Sequence, residues 1–245
     1  MYRLLMKKYI IIAVFLFLGS ASKSQVIISL LLGDKLNTGK IEFGLEGGLN
    51  WSTLTNIDGA SSLRGFNLGF YFDFKLKNPA WMLNTGVIVK SPMGAEGLPL
   101  YSLNNAEIDS AFAGGSVTRK LRYFNVPVMI KYKFKSNIYV KGGVQLGLRS
   151  KCTDEFVRTV NDDDDLKFTV KNKEKFHPLD AGLAVGIGYR LMKGNGMNFG
   201  LQYYYGLIDT SIDDATANQY NRNLYLTFAI PIGVKSKNEN TDPTK

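Results

Sequence analysis

The chain has 245 residues, 45% of them hydrophobic and 12% aromatic, with 25 glycines, one cysteine, one histidine and a formal charge of +9. That apolar content excludes a disordered chain, a single cysteine excludes a disulfide scaffold, and a lone histidine argues against a catalytic zinc site or a histidine relay. Four of the cations, Arg3, Lys7, Lys8 and Lys23, stand in the first 24 residues with no acid among them, which leaves +5 for the remainder; the basic balance therefore does not call for nucleic acid.

A basic start at residues 1–8 leads into an apolar run at 9–18 and then into Gly19, Ser20, Ala21, Ser22 and Ser24 before Gln25. This is the three-part layout of a secretory signal peptide, and the run is about half the roughly 20 residues that a membrane-spanning helix needs. The expected division is a signal peptide at 1–24, a periplasmic segment at 25–38 that includes Gly33-Asp34-Lys35-Leu36-Asn37, a barrel at 39–234 and a polar tail at 235–245.

From Lys40 onward eight segments alternate with the period of two that marks strands. The first sets Ile41, Phe43, Leu45, Leu49 and Trp51 against Glu42, Gly44, Glu46, Gly48 and Asn50. The second sets Phe66, Leu68, Phe70, Phe72 and Phe74 against Asn67, Tyr71, Asp73 and Lys75. The third, shorter, sets Trp81, Leu83, Val87 and Val89 against Asn84, Gly86 and Lys90. The fourth and fifth alternate from Tyr123 to Phe134 and from Ile138 to Arg149, the sixth from Leu179 to Arg190, the seventh from Met197 to Gly206 and the eighth from Asn223 to Ile232. Connections alternate in length: residues 52–63, 91–116, 150–176 and 208–220 are long, whereas the others are tight turns at Asn78-Pro79, Ser136-Asn137 and Gly194-Asn195-Gly196. Long loops on one rim and short turns on the other are the pattern of an outer-membrane barrel.

The apolar set of these segments carries no charge, so it is expected to face lipid. The opposite set mixes glycines with Glu42, Glu46, Asp73, Lys131, Lys141, Asp180 and Arg190. An eight-stranded barrel has an interior just wide enough for side chains, so small residues and paired charges fit inside. Strand direction places Glu42, Asp73, Lys131, Lys141 and Arg190 at one level of the lumen with Glu46 just above, and these six are the candidate site: a charge network that closes the lumen instead of lining a channel. The competing architecture is a secreted lipocalin-like ligand-binding barrel, which would turn the Phe-rich faces inward.

The run Leu121-Arg122-Tyr123-Phe124-Asn125-Val126-Pro127, an aromatic strand entering an aliphatic-Pro pair, resembles the PorT-like family of eight-stranded outer-membrane β-barrels of Bacteroidota. Gly47-Gly48-Leu49-Asn50, Gly143, Asp180-Ala181-Gly182 and Gly186-Ile187-Gly188 are similar to that family's pattern in the same order, over about residues 40–233. Two positions depart from it: Gln202-Tyr203 stands where an Arg-Tyr pair is frequent, and residues 236–245 form a polar tail instead of ending on a strand-terminal aromatic. The resemblance implies an outer-membrane place and an association, in some members, with secretion and gliding machinery.

Other constellations carry less chemistry. Asn161-Asp162-Asp163-Asp164-Asp165 offers the carboxylates of a calcium loop, but Leu166 replaces the glycine and Asn172 the glutamate that such a loop uses; with Lys167, Lys171, Lys173 and Lys175 following, it reads as a solvated acidic loop. His177 near Asp180 suggests a rim hydrolase only if a serine joins them, and no nucleophile motif surrounds one. Cys152 has no partner at ligand spacing. The expectation is therefore an all-β, eight-stranded antiparallel up-and-down transmembrane barrel in the cell outer membrane, not an enzyme, with no cofactor and no metal. Its partners are outer-membrane lipid and a protein met through extracellular loops or the periplasmic side.

Overall fold

The computed structural model describes residues 38–161, 164–191, 196–213 and 217–232. The expected signal peptide, the 25–38 segment apart from Thr38, Asp162 and Asp163 of the acidic run, the Gly194-Asn195 turn and the polar tail lie outside the described residues.

Among the described residues ten strands, one short α-helix and a single 3-10 turn at Lys173–Lys175 follow in order: β1 (Ile41–Leu54), β2 (Leu63–Lys75), β3 (Trp81–Lys90), β4 (Pro92–Leu98), α1 (Ala106–Ala111), β5 (Ser116–Lys133), β6 (Ile138–Asn161), β7 (Asp164–Lys171), β8 (Leu179–Arg190), β9 (Asn198–Gly206) and β10 (Asn221–Pro231). Eight of them close a ring in the order β1-β2-β3-β5-β6-β8-β9-β10, with β10 pairing back onto β1. Every ladder is antiparallel, for example Leu49↔Leu226, Val128↔Val144 and Ile187↔Leu201. Closure removes the free edges from the ring, which satisfies the backbone groups that a bilayer would leave stranded.

The alternation sorts the faces. Along β9 every second residue is buried, starting with Asn198, and those between, Phe199, Leu201, Tyr203 and Tyr205, are exposed. The apolar set points out: Leu146 is 52% exposed and Val185 58%, whereas Asn50, Asn67, Gln145 and Tyr225 inside are at 0%. A soluble carrier would require the reverse. The short-turn rim is built as its residues dictate: Asn78 accepts from Ala80 N–H at 3.0 Å through its side chain and from Trp81 N–H at 2.9 Å through its carbonyl. Asn137 takes a left-handed φ of 65°.

Two glycines are required by close approach. The Tyr71 ring lies over Gly44, its register partner on β1, and the Tyr139 ring over Gly188, its partner on β8; a Cβ at either glycine would stand 2.3 Å from the ring. Small residue and large ring thus fill the lumen together. Pro127, which has no N–H to offer, sits where the β3–β5 ladder lapses between Thr85↔Val128 and Ile88↔Asn125, and Thr85 Oγ1 donates to its carbonyl at 2.7 Å.

Three expectations are corrected. The connection at 91–116 is not a plain loop: it contains β4, hydrogen-bonded to the upper half of β5, and α1, capped by the Asn105 side chain. The connection at 150–176 is mostly a continuation of β6 that returns as β7, forming an arm in which Phe156 faces Phe168. Lys90, expected inside, is exposed on the outer face over the Phe66 ring, because a bulge pairs Leu68 with Lys90 but Gly69 with Ile88 and so turns the strand by one residue.

Candidate functional site: the charged lumen and the long-loop rim

The lower lumen holds the six charges in one layer. Arg190 on β8 reaches across to Glu42 on β1, Nη2 to Oε2 at 2.7 Å, and the Tyr71 hydroxyl donates to the other carboxylate oxygen at 2.9 Å. Lys131 on β5 binds Asp73 on β2 at 2.7 Å, Asn84 Nδ2 donates to the second Asp73 oxygen at 2.7 Å, and the Lys131 ammonium also lies 4.4 Å from the centre of the Tyr139 ring. Asp73 is 1% exposed and Lys131 4%, so both are out of bulk water. Lys141 is buried and feels Glu46 more strongly than any other charge. The six are three carboxylates and three cations, and half-buried Lys133 borders them beside Arg190 and Glu42.

Above this layer the lumen is filled mainly by neutral polar groups, with buried Asp180 and Arg149 the ionisable residues among them. Gln202 Nε2 donates to Gln145 Oε1 at 3.3 Å, and Asn50 Nδ2 approaches Asn223 Oδ1 at 3.4 Å. Gln202 and Gln145 thus pair amide with amide inside the lumen. Asp180 accepts from Asn221 Nδ2 at 2.8 Å. Exposed His177, which the sequence sets near Asp180, points to solvent while Asp180 is buried in the lumen.

At the long-loop end β4 leans inward and crosses the mouth. Asn50 Nδ2 donates to Pro92 O at 2.7 Å, Ser52 Oγ to Gly94 O at 3.0 Å, and the Ser91 and Tyr225 hydroxyls share a hydrogen bond at 3.0 Å. Met93 and Ala95 are wholly buried there. A strand read as loop is therefore the upper closure of the barrel.

A second constellation, outside the six predicted residues, lies above the mouth. Asp154, at 0% exposure, accepts from Arg119 Nε at 2.9 Å and Nη2 at 2.8 Å, from Asn172 Nδ2 at 2.9 Å and from the Tyr101 hydroxyl at 3.0 Å. The guanidinium fork and the two further donors satisfy both carboxylate oxygens. Burial, followed by the Asp154 charge, pushes the Tyr101 hydroxyl up to about 12. The same two causes, in the same order, push the buried Cys152 thiol up to about 12. Tyr101, Arg119, Asp154 and Asn172 border a cleft of about 520 Å³ with Phe176 and Gln219. Half of the signal was present in the sequence: Val117, Arg119 and Leu121 continue the inward alternation of β5, whereas on β6 a bulge after Arg149 shifts the phase and brings Cys152, Asp154 and Phe156 inside.

A closed antiparallel ring with an apolar outside, a polar filled inside and unequal rims is a transmembrane β-barrel of the outer-membrane type. The chain belongs to the outer membrane protein beta-barrel domain family, whose family model matches residues 24–211. It is similar to the solved structure of Ail, the attachment invasion locus protein of Yersinia pestis, at 14% identity and TM-score 0.40, covering 78% of this chain and 99% of that one. It is also similar to Neisserial surface protein A, at 12% identity and TM-score 0.43 over 77% and 96% of the two chains. A third is OprG from Pseudomonas aeruginosa, at 13% identity and TM-score 0.33 over 78% and 93%. A comparison with curated proteins found no match. The protein is an outer-membrane β-barrel, and the rim bearing the long connections is its extracellular side.

Proposed function

We propose that this barrel is closed to solutes, catalyses no reaction, and acts through its extracellular superstructure as an interaction or secretion-associated component, in the manner of a PorT-like barrel. The observation that carries the reading is a layer of buried charges below, with Glu42 paired to Arg190 and Asp73 to Lys131, together with β4 across the mouth above. A lumen that spends its charges on one another leaves the rigid rim as the part that meets a partner. Two supports for that rim are the arm formed by β6 and β7 and the Arg119–Asp154 clamp beneath it.

Swelling of proteoliposomes in a small sugar tests closure: swelling at the rate of protein-free vesicles is expected, and faster swelling would overturn it. A photo-crosslinker placed at Lys173 on the rim, compared with one at Lys135 in a short turn, tests the surface. Discrete protein adducts from intact cells at Lys173 are expected; adducts confined to Lys135 would move the acting surface to the periplasmic floor.

A further inference from the structure

The outer face of β5, β6 and β7 changes character where the lipid-facing band ends. Phe124 and Leu148 are its last exposed apolar residues on β5 and β6. Directly above them come Arg122 and Lys151, then Lys171 on β7, with Lys90 beside them on β3; all four are exposed. Among the described side chains of that face, the Glu155 carboxylate is taken by Lys120.

Two features show that this is not a random solvated surface. Arg122 and Lys151 are direct cross-strand partners, a juxtaposition of like charges that destabilises a sheet unless an anion lies between them. Two of the lysines, moreover, are outside only because of β-bulges. The β5–β6 ladder pairs Arg122 with Lys151 but Tyr123 with Arg149, so Ser150 is the extra residue. Ser150 Oγ pins the bulge by donating to Arg122 O at 3.1 Å. Without that residue the alternation would carry Lys151 inward after Arg149. The bulge at Val89 does the same for Lys90, which without it would follow Ile88 into the lumen. Bulges re-aim side chains, and here two of them re-aim a lysine to one height on one face. At the opposite border the outer set ends on Leu76, Trp81 and Ile138, which are apolar.

We propose that Lys90, Arg122, Lys151 and Lys171 form a docking face for the phosphate-bearing headgroups of outer-leaflet glycolipid. The level is that of headgroups, the face is continuous with the band that meets acyl chains, and the charge is complementary to phosphate. Lysine and arginine stems pack along the last apolar residues while their heads reach the interface. The proposal does not depend on whether the lumen is closed.

The test uses the full-length protein folded in neutral detergent micelles, titrated with diphosphorylated lipid A, with the dephosphorylated lipid and with inorganic phosphate. The readout is the rise in unfolding temperature, seen as the temperature at which the compact form on unheated gels is lost. Phosphorylated lipid is expected to raise it, and the other two are not. Arg122→Gln/Lys151→Gln/Lys171→Gln should shift half-saturation upward on the order of 100-fold, at roughly fivefold per cation near a charged surface. Lys151→Gln alone should give about fivefold, which keeps the test intact should the triple variant fold poorly. Lys77→Gln/Lys135→Gln, in the short turns, should leave it unchanged. Equal stabilisation by the dephosphorylated lipid, or no change in the rim variants, would overturn the proposal. So would equal loss in the short-turn control, and a match by inorganic phosphate would reduce the face to a small-anion site.

Discussion

Lys131→Met removes one half of the most deeply buried ion pair in the lumen. In the wild type Lys131 lies 2.7 Å from Asp73, and the partners are 4% and 1% exposed. After the substitution the Asp73 carboxylate keeps only Asn84 Nδ2, a neutral donor at 2.7 Å. Removing one partner of a buried pair costs about 3–5 kcal/mol, because the survivor stays desolvated and uncompensated. That is two to nearly four decades in the folding equilibrium, at about 1.4 kcal/mol per decade. The double variant Asp73→Asn/Lys131→Met removes the charge as well as the partner, so it should recover about 2 kcal/mol or more of the loss. Urea titration of folding into phosphocholine vesicles measures both, with the folded fraction taken from the faster migration of unheated samples. A Lys131→Met variant within about 0.5 kcal/mol of the wild type, or a double variant whose loss is the plain sum of the singles, would refute the reasoning.

Further expectations rest on the faces and the rim. Val128→Arg, at the middle of the lipid-facing set where Val128 meets Val144, should cost roughly 2–4 kcal/mol in the same titration, and a neutral outcome would invert the faces. Gly44→Ala should cost about 1–3 kcal/mol, since its Cβ would stand 2.3 Å from both the Tyr71 ring and Ile230 O; wild-type stability would show that the ring does not occupy that space. Cys152, buried and with its thiol pushed from 9.0 to about 12, should resist maleimide at pH 8 until the barrel unfolds. Because its folded value is raised, the neutral thiol's contribution to stability is complete below pH 9 and is lost as pH rises through 12. Labelling of the folded protein at pH 8 would contradict the burial. Protease added to intact cells should cut within residues 99–115 and spare the turns at 76–80 and 134–137; cuts confined to those turns would reverse the topology.

The eight ring strands were legible because period-two alternation is enforced by two solvents at once, lipid outside and a packed lumen inside. Glu42, Asp73, Lys131, Lys141 and Arg190 could be placed inside for the same reason. The signal fades where the strands leave the bilayer. Thr118, Lys120, Arg122 and Glu155 occupy outward positions that are exposed or half-buried, so the extensions of β5 and β6 show polar residues on a face that is apolar lower down. β4 was obscured by Gly94 and Gly97, whose φ values of 122° and 72° belong to irregular backbone. Bulges leave no mark in an alternating pattern except a change of phase, so Lys90 was assigned to the wrong face. The Arg119–Asp154 clamp went unnoticed because its partners come from segments read as two separate loops, 35 residues apart.

Single-channel recording of the purified wild-type protein in planar bilayers addresses the doubly closed lumen most directly. The paired charge layer and the β4 strand across the mouth predict a flat baseline in the wild type. Openings should be seen only when both closures are loosened, as in a variant combining Glu42→Ala with deletion of residues 92–98. Stable unitary conductance in the wild type would contradict the account.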